Sequence, residues 1–327
     1  MRLRIDPWAT EYGSTLQMDE ETEGPGVAVD PFVETREWAP IAPPATPRPE
    51  GIVFVDGVQR IEAHVLAESE GGFAHGAFAS IGVGAVRAAS GSTVVSDTRL
   101  ERTLALTGRA PGDPVSVACG TMDLTFTPHW STRQGYQGVA DAINSRRRAL
   151  EMQLGQAMVD KGDALVVLDG RLRLFPTPRT AVVGYTKTIH FTYLAPPQMA
   201  LLPQLEAGQR TPLFQIEEQR PLFGWFLRLA PVRPIDHPLA GLVRLETPAE
   251  IGLEQAIALA NQTALYLPYF ASTPERDPRA PQNLLPIGGL ELRLRHDIGD
   301  HTWVRRAIES YIHHQLAGGR EVAITRG

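Results

Sequence analysis

The chain has 327 residues, 43% hydrophobic and 21% charged, with 30 glycines, 27 prolines and one cysteine; this supplies a sizeable core and excludes a chain disordered throughout. The formal charge of −6 argues against a basic nucleic-acid-binding surface, but residues 1–70 hold 14 acidic and 5 basic side chains, leaving 23 acidic and 26 basic beyond them. One cysteine excludes an internal disulfide and a thiolate zinc site, and with no run of 18 apolar residues and no apolar leader the expectation is a cytoplasmic protein without a membrane span.

Residues 1–50 read as an acidic arm ending in the proline-dense run Ala39–Pro49, which excludes helix and central strand. A folded unit, residues 51–327, opens at Ile52-Val-Phe-Val55, is stopped by Asp56-Gly57, and resumes at Arg60–Leu66, which predicts strand, turn and strand. Alternating segments predict further strands over Ala74–Arg87, Val94–Leu106 and Val115–Thr127. From Gly135 to Lys161 there is no proline, and Val139, Ile143, Leu150, Leu154 and Met158 recur at helical spacing. Ala164–Leu168 is apolar at every position, as in a strand covered on both faces, and runs into Asp169-Gly170. Strands are predicted over Thr180–Ile189, Gly224–Ala230 and Gly241–Glu246, a helix over Pro248–Tyr266, and one or two helices within Leu290–Leu316. Strands, then a helix, then strands and terminal helices make an α/β protein with a mixed sheet and helices against it.

Several chemistries lack their motif. Neither lysine, Lys161 or Lys187, follows the glycines of a phosphate loop. Gly82-Val-Gly84 lacks the third glycine of a dinucleotide fingerprint, and there is no Gly-x-Ser-x-Gly or His-Glu-x-x-His. The other 29 basic residues are arginine, a bias that codon usage explains as readily as phosphate binding.

What stands out is a pair of apolar strands, each leading into an Asp. Asp-Gly is also a common turn dipeptide, since Asp bonds its own backbone and Gly supplies positive φ. Singly each reads as a turn, and an α/β protein in which both are turns is one alternative. The pair also fits a site: ligands bind at the carboxyl ends of buried strands, and converging carboxylates there repel unless a hard divalent cation compensates. Glu151 is a third candidate, beside the apolar stripe of the long helix. Read as a surface residue, it would only pair with Arg147, four positions earlier, for ~0.3–0.5 kcal/mol. Three such carboxylates could hold one or two Mg²⁺ or Mn²⁺ ions for phosphodiester hydrolysis.

Val55-Asp56-Gly57, Glu151 eighteen residues before Asp169, Leu168-Asp169-Gly170-x-Leu172, Gly184-Tyr-Thr-Lys187 and Arg244-Leu-Glu-Thr-Pro248 resemble, in order and spacing over residues 50–300, the NurA nucleases, partners of the HerA translocase. The resemblance implies a ribonuclease-H-like mixed sheet with flanking helices and an elaborated β-rich insertion. It also implies a homodimer that depends on Mn²⁺, with Mg²⁺ as substitute. The activity implied is 5′-3′ exonuclease and single-strand endonuclease action on DNA single strands and duplex ends, beside a HerA-type hexameric ATPase in end resection and double-strand break repair. Carried across, Asp56, Glu151 and Asp169 become the catalytic metal ligands. A late histidine of the family falls on His296, with Glu291 as the alternative. Its tyrosine falls on Tyr185 or Trp225. The family's Asp-Gly-Ser is Asp-Gly-Val58 here.

Tyr185, Lys187 and Arg244 suit DNA chemically, as a ring for an unstacked base and cations for phosphate. Tyr185 equally suits a core position, and Arg244 a pair with Glu246 on its own strand. A rival function is a catalytically silent ribonuclease-H-like subunit that binds DNA or a translocase as an adaptor.

Overall fold

The computed structural model describes residues 2–5, 27–47, 49–69, 72–89, 91–108, 112–162, 165–172, 181–187, 193–277 and 279–324. In chain order its strands are β1 (Arg2–Ile5), β2 (Ala28–Asp30), β3 (Ile52–Ser69), β4 (Gly72–Ala89), β5 (Ser92–Thr107), β6 (Val115–Cys119), β7 (Met122–Ser131), β8 (Leu165–Asp169), β9 (Val182–Thr186), β10 (Phe214–Glu217), β11 (Leu222–Arg228) and β12 (Leu242–Pro248). The helices are α1 (Gly135–Lys161), the single turn α2 (Pro196–Met199), α3 (Leu253–Tyr266), α4 (Leu285–Asp297) and α5 (His301–Ile324). The predicted strand ends at Thr180, Ile189 and Ala164 lie outside the described residues.

The strands form one mixed sheet in the order β2-β10-β11-β12-β9-β8-β3-β4-β5-β7-β6, with β1 pairing on β3. β8 runs parallel to both β3 and β9, and β5 runs parallel to β7; the other pairs are antiparallel. The α/β class and the mixed sheet with helices against it are as the sequence predicts.

The first hairpin differs from its prediction. Residues 52–69 are one strand of 18 residues, and Asp56 and Gly57 pair with Gly84 and Val83 of β4 in unbroken register. No turn forms there, because β4 pairs with β3 continuously from Ile52 to Ile61, and the one register shift comes later, between Ile61 and Ala63. Alternation then divides the side chains between two cores. On one face Val53, Val55, Val166 and Leu168 pack against Val139, Ile143, Leu150, Leu154 and Met158 of α1. On the other, Phe54, Val58, Val167 and Tyr185 pack with Ala256 and Ala260 of α3 and Ile287, Leu290 and Leu294 of α4.

α1 spans the predicted residues. Proline-free sequence lets it run 27 residues, and it stops at Gly162, whose φ of 75° fits the left-handed cap. α4 lies close on β4 because Gly82 and Gly84 leave room; a Cβ on Gly84 would be 2.7 Å from Leu290 Cδ1. α5 covers the far half of the sheet with Val304, Ile308 and Ile312 against Val65, Phe78 and Phe126.

The described part of the N-terminal arm combines short strands with turns and bends over residues 31–37 and lies on the body. β2 pairs with β10, the Trp38 indole donates to the Gln198 carbonyl at 3.1 Å, and Tyr266 Oη donates to the Thr46 carbonyl at 2.7 Å. Glu34 accepts from both terminal nitrogens of Arg210, at 2.9 and 2.8 Å, and from the Leu213 amide at 2.7 Å. Arginine also serves inside the protein: fully buried Arg228 donates to the carbonyls of Leu205, Leu202, Pro238 and Ala240. Among the described residues no helix is long and apolar enough to cross a membrane.

Candidate functional site

The parallel pairing of β3 with β8 runs from Ile52↔Leu165 to Val55↔Leu168 and stops there. Asp56 and Asp169 are the next residue on each strand, so they stand side by side at roughly the 4.8 Å strand spacing. Alternation puts both on the face of Phe54 and Val167, beneath α4. In register with Asp169 on β9 is Tyr185, and Lys187 follows two residues on, at the same face. The Lys187 Nζ donates to Asp169 Oδ2 at 2.6 Å and to Asn283 Oδ1 at 3.0 Å. Asn283 in turn donates to Asp277, and Arg279 bridges from Asp277, at 3.5 Å, to Glu291 of α4, at 3.1 Å.

Glu151 approaches from the other face. Helix α1 carries it over Gly57, where a Cβ would run into Glu151 Oε1 and lie 2.9 Å from Val83 Cγ1. The glycine after Asp56 is therefore needed for this close approach rather than for a turn. Glu151 is 6% exposed, not the half-exposed helix residue of the surface reading, and accepts from Arg147 Nη1 at 2.6 Å.

Electrostatics tie these groups into one cluster. Asp56 is 4% exposed; burial pushes its carboxyl well above the ordinary range, Asp169 pushes it further, Lys187 opposes, and Glu151 and Glu291 add to the rise. Glu151 is raised by burial, opposed by Arg147 and reinforced by Asp169. For Lys187, burial acts to lower the ammonium, but Asp169 and Asp56 outweigh it and hold the group above its usual value.

Other predicted positions are not brought to the cluster in the expected role. Tyr185 is fully buried in the α4-side core, its hydroxyl donating to the Gln282 carbonyl at 2.6 Å, so its ring has no face for a base. Trp225 is equally buried. Arg244 pairs with Thr186 across β9 and β12 and so points to the face opposite Lys187. It is 1% exposed, 4.7 Å from the Tyr193 ring and 3.8 Å from Glu246. That is the intrastrand pair the sequence allowed, in place of a phosphate contact. His296 is exposed in the last turn of α4, about 140° around the helix from Glu291. Of those two late candidates only Glu291 acts on Asp56. Asn283 and Asp277 were missed; both lie outside any periodic segment, and only the return of the chain places them at β9.

No protein-family model matches the sequence, and no curated protein matches it. Among solved structures, the crystal structure of the NurA nuclease from Sulfolobus solfataricus is similar with a TM-score of 0.45 at 10% identity, over 86% of each chain. That of human ENDOV is similar with a TM-score of 0.35 at 13% identity, over 76% of this chain and 84% of the other. At these values the likenesses establish neither family nor shared activity.

The donor chemistry at Asp56, Asp169 and Glu151 suits a hard divalent cation: all ligands are carboxylate oxygens, and the carboxyl of Asp56 is raised first by burial and then by the neighbouring Asp169. Among the described residues, however, no three His, Cys, Asp or Glu side chains are gathered into a coordinating group. Lys187 holds Asp169 and Arg147 holds Glu151.

Proposed function

We propose that the chain is a metal-dependent deoxyribonuclease of ribonuclease-H-like fold, hydrolysing phosphodiester bonds at DNA ends and in single strands. The observation that carries this reading is the placement of Asp56 and Asp169 side by side where the β3–β8 pairing stops, with buried Glu151 reaching over Gly57. Burying mutually repelling carboxylates is costly, and such clusters concentrate at functional sites.

Asp56, Asp169 and Glu151 would hold Mn²⁺ or Mg²⁺, which when bound supplies Lewis acidity at a phosphate oxygen. Arg147 orients Glu151. Glu291, the late carboxylate whose charge reaches Asp56, would assist proton transfer in place of His296. In the same proposal the protein acts as a homodimer beside a HerA-type hexameric ATPase in end resection, the chain showing no nucleotide-binding motif of its own.

The test is digestion of end-labelled linear DNA with Mn²⁺, Mg²⁺ or EDTA, with and without such an ATPase. Wild-type protein is expected to release nucleotides only with metal, and Asp56→Ala and Asp169→Asn to lose at least about 100-fold in rate. Digestion by Asp56→Ala at the wild-type rate would sink the proposal. The ion pairs already made by Asp169 and Glu151 favour a second reading, the silent DNA-binding adaptor, which predicts DNA retention with no release under any metal.

A further inference from the structure

Lys187 is one of two lysines in a chain with 29 arginines, and it lies at the carboxylate cluster. The difference is chemical. A guanidinium grips a carboxylate with two parallel hydrogen bonds, whereas an ammonium is a compact point charge on a flexible four-carbon stem, held by single bonds and easily exchanged. Here the bonds are two, to Asp169 and to Asn283, and the side chain keeps 19% of its surface open to solvent, which gives it a route out.

The ammonium also explains why this cluster is not a ready-made cage. It takes up the Asp169 oxygen that a cation shared with Asp56 would need, and it compensates Asp56 in that cation's place. Arg147, by contrast, grips Glu151 along one helix at a four-residue spacing, which ties that acid to α1 whatever happens at Asp169.

We infer that Lys187 is a displaceable counter-ion: its ammonium neutralises Asp169 in the metal-free protein and must leave that carboxylate when a divalent cation binds, so that it sets the metal affinity of the site. This rests on the metal-site reading above and adds a positioning residue to it. The exchange makes and breaks no covalent bond: the cation takes the Asp169 oxygen, and the protonated amine keeps its charge and moves to solvent or to a phosphate.

The test is Mn²⁺ titration of the full-length protein by calorimetry and by electron paramagnetic resonance of free Mn²⁺, without DNA, for wild type, Lys187→Met, Lys187→Arg, Asn283→Ala and Asp169→Asn. Removing the competing charge in Lys187→Met is expected to tighten Mn²⁺ binding about tenfold. Lys187→Arg keeps a cation on Asp169, and its affinity is expected to equal or fall below wild type. Asn283→Ala loosens the ammonium without removing it and should tighten binding about two- to threefold; it decides the matter if Lys187→Met fails to fold. Unchanged or weaker affinity in Lys187→Met, or in Asn283→Ala where that variant decides, overturns the counter-ion role, while weakened binding in Asp169→Asn leaves the metal site standing. Should Mn²⁺ bind every variant alike, or none of them, the metal-site reading itself fails.

Discussion

Asp56 occupies a mid-strand position that an apolar residue would ordinarily fill, with Phe54 and Val58 two residues to either side in the same core. Its raised carboxyl fixes a sign for stability. A group whose folded-state pKa lies above its unfolded value of about 4 stabilises most below that value, and its contribution is lost as pH rises through the folded pKa. In EDTA, Asp56→Asn is therefore expected to melt above wild type at pH 8 by at least about 2 °C. The difference should vanish well below pH 4, where the carboxyl is protonated in the folded and unfolded states alike. A lower melting temperature for the variant at pH 8 would show that Lys187 more than compensates the buried charge. At this scale the sequence was partly legible. An apolar run ending in Asp was a usable signal twice, at Val55 and at Leu168. Tyr185 and Arg244 misled because the residue type suited DNA while strand pairing turned one into the core and the other to the opposite face.

At the scale of elements, α1 and α4 grip the sheet from its two faces, each at a glycine. α1 was readable to its ends because an uninterrupted apolar period and a glycine cap are local properties. α4 depends on Gly82 and Gly84, which the sequence presented only as an incomplete nucleotide fingerprint; glycine within a strand signalled close approach. Gly84→Ala would force Leu290 out of its seat at 2.7 Å and is expected to cost about 1–3 kcal/mol, seen as a lower denaturation midpoint with an unchanged slope. Since Gly84 lies opposite Asp56 and Leu290 precedes Glu291, the same change should shift Glu291 relative to Asp56. Wild-type stability in Gly84→Ala would mean that the helix has slack there. The merging of two predicted strands into β3 has a related origin: Asp56-Gly57 has turn propensity, but propensity is overridden when the residues on both sides of it are held in register on β4.

Over the whole molecule, the arm that carries most of the negative charge takes part in the fold through β1, which pairs with β3, and through residues 27–47. Arg210 is 1% exposed and depends on Glu34, 176 residues away, for two of its hydrogen bonds. Glu34→Ala leaves that guanidinium buried without its carboxylate and is expected to destabilise by about 3–5 kcal/mol. Thermal unfolding checks this; a shift below about 2 °C would show that water or Asn261 replaces the carboxylate. Net charge was thus a poor guide to function: the acidic excess belongs to a segment whose described part is built into the sheet edge, and further acids of the chain cluster beneath α4 and over Gly57.

By itself the sequence determined the α/β class, the long helix, most strands and the acids Asp56, Glu151 and Asp169 as candidates, because alternation, helical period and an Asp after an apolar run are written within a few adjacent residues. Only the tertiary structure decided which of them meet. Asp56 and Asp169 are 113 positions apart and become neighbours through one parallel pairing, and Lys187 reaches Asn283 across 96 positions. The sheet's register also decides which side of β9 or β12 a side chain takes, and so separates Lys187 from Arg244. Such pairings depend on the cooperative burial of both faces of the sheet, and no local pattern records them.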